Sequence, residues 1–236
     1  MKTILITGSN GAIGQGLCQN FTENDWRVIG TDLEKNSKGN TSAYLSIDLD
    51  RLCEDAEYSD QAIKDILFEC RDSLDVLVNN AAIQILAPVK EFTFESWKKT
   101  ININLNSVFI MSSIVIEQMV LKRTKGVVIN ISSISANGNA GQTAYSAAKA
   151  GVEAMTKTWA KELGAFGIRN VAISPGFIDT DSTNEALNSQ TIKHIKRNTP
   201  LKRLGEVVNI AQGIVYAIEN DFVNGTVLEI DGGLII

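Results

Sequence analysis

The sequence predicts an α/β fold: a doubly wound parallel sheet with helices on both faces, in one three-layer α/β/α domain over residues 1–236. Three observations predict it. Short β-branched runs alternate with longer helical patterns, the order that builds a parallel sheet. The strand runs are apolar throughout and do not alternate with polar residues, as expected when helices cover both faces. The chain has 236 residues, 44% of them hydrophobic, enough for a full core without staples.

The elements follow in order. Lys2–Thr7 reads as the first strand, then a Gly-rich turn, Gly8–Gly14, and a helix to about Glu23. Arg27–Asp32 is the second strand and Ala43–Asp48 the third, with a helix across Ser59–Cys70. Asp75–Asn80 is the fourth strand, and a long helical pattern covers Thr93–Gln118. Gly126–Ser132 is the fifth strand and Ala144–Phe166 an Ala-rich helix. Asn170–Ser174 is the sixth strand, ended by Pro175-Gly176. Glu206–Glu219 is a further helix and Thr226–Ile230 the last strand.

Composition excludes several classes. The chain carries 22 basic and 27 acidic side chains, net charge -5. That is too little charge for a disordered chain and the wrong sign for nucleic acid or an anionic membrane. Cys18, Cys53 and Cys70 lack CxxC spacing, and there is one His, so neither a disulfide frame nor a metal site is expected. Reduced thiols fit a cytoplasmic protein. The first apolar run meets the Gly-rich turn at once, so no secretory signal is expected. Apolar stretches such as Phe109–Ile116 end at Glu117, short of the ~18–20 residues that span a bilayer.

Two segments carry chemistry. Thr7-Gly8-Ser9-Asn10-Gly11-Ala12-Ile13-Gly14 joins the first strand to the first helix. Glycines there let backbone approach a pyrophosphate, and a helix start offers free N–H groups. The spacing is Gly8-x-x-x-Ala12-x-Gly14, not GxGxxG; its weight comes from following the first strand. Asp32, at the end of the second strand, suits the adenine ribose hydroxyls and repels a 2′-phosphate. With Gly11 and not Arg or Lys inside the turn, NAD(H) is expected over NADP(H). Asp48 and Leu49, at the end of the third strand, are candidates for the adenine.

Tyr145 and Lys149 lie four apart, on one helical face. An ammonium there favours phenolate, so the Tyr can exchange a proton with a carbonyl or carbinol oxygen. Ser132 and Ser133 end the fifth strand, where a hydroxyl can hold that oxygen. Asn104 is a poor mid-helix residue that needs a reason, such as holding a water near Lys149; Asn102 and Asn106 compete for that role.

Together these residues resemble the short-chain dehydrogenase/reductase family, in its branch of roughly 250 residues, a size that suits one domain. TGSNGAIG is similar to that family's TGxxxGxG, with Ala12 for the middle Gly; NNAA (Asn79–Ala82) resembles its NNAG, NISS and YSAAK its Ser, Tyr and Lys elements. The resemblance implies a Rossmann-type fold and hydride transfer at C4 of a nicotinamide. It implies that Tyr145 exchanges the proton, that Ser133 orients the oxygen, with Ser132 as the alternative, and that Lys149 lowers the Tyr pKa and holds the ribose. It selects Asn104 to anchor a water relay. Asn80 and Ala81 join Gly8, Asn10, Ala12, Ile13 and Gly14 at the cofactor. Pro175, Gly176, Ile178 and Thr180 resemble the nicotinamide-holding segment. A homotetramer or homodimer is implied, with the small-residue stripe Ala144, Ala147, Ala148, Gly151 allowing close approach.

The substrate is expected to be a small carbonyl compound or alcohol. SPGFIDTD and PLKRLGE resemble the 3-oxoacyl-carrier-protein reductases, which favours a 3-oxoacyl thioester. Asp32 opposes the NADPH those reductases mostly use, and only Lys122, Arg123 and Lys125 remain of their basic patch. A sugar, polyol or small-alcohol dehydrogenase is the competitor, and a non-catalytic cofactor-sensing regulator is the reading from another class. Asp181–Pro200 is expected to form a lid, with Leu187, Ile192 and Ile195 on one helical face and His194 facing solvent. Gln84, Asn137 and Gln142 are candidate polar groups of the pocket.

Overall fold

The structure is a computed structural model that describes residues 1–72 and 74–234. Ser73, Ile235 and Ile236, which the expected domain includes, lie outside the described residues. Seven parallel strands form one sheet in the order β3-β2-β1-β4-β5-β6-β7. They are β1 (Thr3–Thr7), β2 (Arg27–Asp32), β3 (Ala43–Ser46), β4 (Val76–Asn79), β5 (Val127–Ile131), β6 (Arg169–Pro175) and β7 (Val227–Ile230). This is the expected doubly wound Rossmann-type sheet. The order reverses between β1 and β4, so a crevice opens at their carboxyl ends, where such sheets bind ligands.

The central strands are buried on both sides. Ile4 and Ile6 of β1 face helices α1 (Ala12–Glu23) and α9 (Val207–Glu219). Leu5 faces the other layer, with α3 (Ala56–Glu69) and α5 (Ser107–Lys122). α6 (Thr143–Leu163) covers β6 on that second face, burying Ala148, Val152 and Thr156.

Several boundaries differ from expectation for identifiable reasons. β3 stops before Asp48, because the Asp48 carboxylate accepts from the N–H groups of Asp50 and Arg51 at 3.0 and 3.2 Å. That cap starts a helix not foreseen, α2 (Leu49–Glu54). α3 begins three residues early because Asp55 accepts from the Tyr58 N–H at 3.1 Å. The expected Thr93–Gln118 helix is instead α4 (Phe94–Ile101), a π-helical turn at Asn102–Asn106, and α5. The whole run, Phe94–Lys122, is 29 residues with a stretch of mean hydropathy 1.4. By length and composition alone it is able to cross a bilayer, contrary to the expectation from sequence. It packs as a core helix, with Met111, Val115 and Met119 buried in the cluster that holds Leu5, Leu77 and Val128.

The small-residue stripe is partly spent inside the subunit. Ala144 and Ala148 are fully buried, and a methyl on Gly151 would come within 2.9 Å of Leu105. Beyond β6 stand α7 (Asp181–Ala186) and α8 (Ser189–Asn198). Ile192 and Ile195 lie on α8, but Leu187 is the residue after α7, so the expected three-residue face does not form. His194 is exposed and pairs with Asn198.

A buried amide chain ties the layers together. The Asn79 amide donates to Ser112 on α5 at 2.9 Å and to Asn130 on β5 at 2.8 Å. The Asn130 amide donates to Thr156 on α6 at 2.9 Å. Breaking such a chain strands buried donors. Asn130→Leu is therefore expected to lower stability by about 2 kcal/mol. A urea unfolding midpoint equal to that of the wild type would contradict this.

Candidate active site

The Gly-rich turn is built so that side chains are excluded. Gly8 has φ +66°, and a Cβ there would lie 2.7 Å from the Ala81 Cα. A Cβ on Gly14 would lie 2.1 Å from the Gly8 carbonyl oxygen. Neighbouring groups hold the turn in place. The Asn80 amide donates to the Thr7 and Gly8 carbonyls, both at 3.0 Å, and the Ala81 N–H donates to the Thr7 hydroxyl at 3.0 Å. The Asn80 side chain is thus a brace under the turn. α1 then begins with no side-chain cap and no acidic residue in its first turn. Its free N–H groups and dipole suit a phosphate.

A cleft of about 480 Å³ runs from this turn along the carboxyl edge of the sheet. Gly8, Asn10, Ala12, Ile13, Gly14, Asp32, Asp48, Leu49, Asn80 and Ala81 all line it. The Asp32 carboxylate accepts from the Asn10 N–H at 2.9 Å and the Leu33 N–H at 2.7 Å, which fixes it on the cleft wall. Asn10 also pins the following loop, donating to the Asn36 carbonyl and accepting from the Lys38 N–H. One Asp48 oxygen is committed to capping α2. Thr31, Leu33, Glu34, Ile47, Ala82, Ile83 and Ile103 line the cleft without having been foreseen. Their signal was only adjacency to the motifs, and for Ile103 the Asn-rich NINLN run. Turn, carboxylate and uncapped helix together fit a dinucleotide.

A second cavity, of about 240 Å³, adjoins the first; Ile13, Asn80, Ala82 and Thr180 line both. Ser133, Tyr145, Lys149, Pro175, Gly176 and Ile178 meet here, together with Gln84 and Gln142. Asn137 is exposed and does not line it. Thr180 caps α7, accepting from the Thr183 N–H at 3.2 Å. A bridge to Gly205 uses the Phe177 carbonyl and the Asp179 N–H, leaving the Ile178 backbone groups out of it.

Both serines border this cavity, but their hydroxyls are engaged differently. The Ser132 hydroxyl is buried and donates to Glu153 on α6 at 2.7 Å. Strand alternation sends the next side chain the other way. The Ser133 hydroxyl accepts from the Ser135 N–H at 3.1 Å and stands beside Tyr145.

Lys149 is 2% exposed, and its Nζ donates to the Ile131 carbonyl at 2.7 Å. Burial brings its pKa down to about 8. The ammonium lies 5.5 Å from the Tyr145 ring centre. Burial also holds the Tyr145 phenol above its ordinary value, with the Ser133 hydroxyl pulling the other way. No Lys149 effect on the phenol stands beside these two, so the expected lowering of Tyr145 by Lys149 is not seen in the chain alone.

Asn104, within the π turn, is fully buried. Its amide donates to the Ile83 and Thr100 carbonyls at 2.9 and 2.8 Å, and its oxygen accepts from the Ile83 N–H at 3.2 Å. Both amide protons are spent on backbone, so the side chain splices the π turn to the cleft wall. Asn102 and Asn106 point elsewhere: the Asn102 amide bridges Asp50 and Glu54, and Asn106 donates to Asn102. Among the described residues no His/Cys/Asp/Glu cluster suited to a metal is present.

A doubly wound sheet with this turn and this Ser–Tyr–Lys grouping defines a nucleotide-dependent oxidoreductase class. The short chain dehydrogenase family profile matches residues 2–191, and the chain belongs to that family. It is 35% identical to the 3-oxoacyl-[acyl-carrier-protein] reductase FabG of Thermotoga maritima, over 100% of this chain and 98% of that one. Among solved structures it is similar to 4-hydroxyisoleucine dehydrogenase complexed with NADH, at 30% identity and TM-score 0.87, covering 99% of this chain and 98% of that one. It is also similar to ElxO with NADP bound, at 29% identity and TM-score 0.86, covering 98% of both. The protein is thus an NAD(P)-linked oxidoreductase acting on CH–OH groups.

The Lys149 shift has a measurable consequence. Between pH 8 and 10.5 the unfolded chain holds a proton at Lys149 that the folded chain has released, so stability rises with pH across that window. Lys149→Met is expected to remove that rise, which amounts to about 3 kcal/mol at most. Parallel denaturation curves for wild type and variant across the window would contradict the assignment.

Proposed function

We propose that the chain interconverts a secondary alcohol and a ketone with NAD(H), using Ser133, Tyr145, Lys149 and Asn104. The carrying observation is that Ser133, Tyr145 and Lys149 share one small cavity continuous with the nucleotide cleft. When bound, the nicotinamide exchanges a hydride at C4, which accounts for the two electrons. In the reducing direction Tyr145 gives its phenolic proton to the substrate oxygen, and that proton is replaced from solvent. Burial keeps the phenol protonated, which suits reduction. Ser133 orients the oxygen. Lys149 faces the Tyr145 ring and favours the phenolate as it forms. Lys149 also offers its ammonium to the ribose, and Asn104 holds the π turn against the cleft. Residues 181–200 act as the lid over the substrate.

The fixed Asp32 carboxylate, with Glu34 on the same wall and Gly11 in the turn, supports NAD(H) over NADP(H). The Thermotoga maritima relative supports a 3-oxoacyl thioester as substrate. A small hydroxylated substrate is the second reading. Lys122, Arg123 and Lys125 lie just before β5 begins, at the opposite edge of the sheet from Ser133, and the Lys122 ammonium is held by the Cys70 and Arg71 carbonyls. A carrier docking there would sit away from this subunit's own cavity. Exposed Phe109, beside Leu105, Gly151 and Met155, supports self-association through α5 and α6.

Fluorescence titration with both reduced nucleotides tests the cofactor assignment. NADH is expected to bind at least ~tenfold more tightly, about 1.4 kcal/mol. Tighter NADPH binding would remove the role given to Asp32.

A further inference from the structure

Gln142 immediately precedes α6, three residues before Tyr145, yet its side chain makes no capping bond. Its backbone is satisfied: the N–H donates to Asn139 and the carbonyl accepts from Ser146. Its side-chain Oε1, in contrast, is enclosed and has no hydrogen-bond donor. The residue lines the cavity that holds Ser133 and Tyr145. A buried acceptor without a donor carries a free-energy cost that a ligand donor removes.

The cavity is also electrically plain. Among the described residues lining it, Lys149 is the one with a formal charge, and its ammonium donates to the Ile131 carbonyl. The other polar side chains on its wall are neutral amides and hydroxyls, among them Gln84, Ser133, Gln142, Tyr145 and Thr183. A substrate carboxylate or phosphate would find no cation there besides Lys149 and would be costly to bury. At about 240 Å³ the space is below the roughly 300–1,000 Å³ typical of sites for drug-sized ligands.

We infer that the substrate is a small, neutral hydroxyketone and its product the vicinal diol, and that Gln142 reads the hydroxyl next to the reacting carbonyl. This rests on the reading of Ser133, Tyr145 and Lys149 as the reacting centre. Ser133 and Tyr145 share the carbonyl oxygen, and Gln142, one helical turn before Tyr145, takes the neighbouring hydroxyl as a donor. Reduction adds the hydride to the carbonyl carbon and the Tyr145 proton to its oxygen. The hydroxyl beside it is recognised and not consumed.

The test compares kcat/KM with NADH for 3-hydroxy-2-butanone, 2-butanone and an acetoacetyl thioester in the wild type, Gln142→Leu and Gln142→Met. Calorimetry measures 2,3-butanediol binding to the NADH-bound protein alongside. The wild type is expected to prefer the hydroxyketone over 2-butanone by at least ~tenfold. In both variants that ratio should collapse towards one, mainly through KM, and diol binding should weaken by a similar factor. An unchanged ratio in the variants, or better turnover of 2-butanone or the thioester by the wild type, would overturn the inference and leave the oxidoreductase reading standing. Absence of Tyr145-dependent reduction of every carbonyl tested would overturn both.

Discussion

A lysine ammonium enclosed to 2% exposure, with the Ile131 carbonyl as its acceptor, is the constraint on which the site depends. Burying such a charge is costly, and its lowered pKa records that cost. The surrounding structure is rigid enough to bear it. Ile131 ends a fully buried strand, and the next residue, Ser132, is tied to Glu153 one helical turn beyond Lys149. Strand and helix are thereby clamped at two adjacent points. Strand alternation then turns Ser133 into the cavity, and helix periodicity brings Tyr145 alongside it.

The nucleotide half of the cleft rests on close approach. Gly14 and the Gly8 carbonyl are too near for any side chain, and the Asn80 amide grips the same carbonyl from β4. β1 and β4 are the strands at which the sheet order reverses. The turn is therefore held by the two strands whose divergence opens the crevice. Asp32, reached from β2, closes the arrangement by accepting from the Asn10 N–H of the same turn.

Much of this was legible in the sequence. The strands were readable because buried parallel strands are continuous apolar runs, and Tyr145 and Lys149 because their spacing matches one helical turn. Other features depend on contacts between distant segments. The π turn at Asn102–Asn106 is tied to the cleft wall by the Asn104–Ile83 bonds, which sequence spacing does not reveal. α2 was missed although Asp48 and Asp55 are ordinary cap residues, because a six-residue helix carries little periodicity. The direction of the Tyr145 shift followed burial, which only the assembled cavity sets. Residue pattern alone left Ser132 beside Ser133, which the family likeness preferred; the bond that engages the Ser132 hydroxyl, to Glu153, is a tertiary contact.

The most direct test of the central claim is single-turnover transfer of deuterium from 4-deuterated NADH to a ketone, in the wild type and in Tyr145→Phe. The account predicts transfer in the wild type and a loss of at least ~100-fold in the variant, in line with removal of a general acid, at unchanged NADH affinity. Transfer in Tyr145→Phe at the wild-type rate would contradict it.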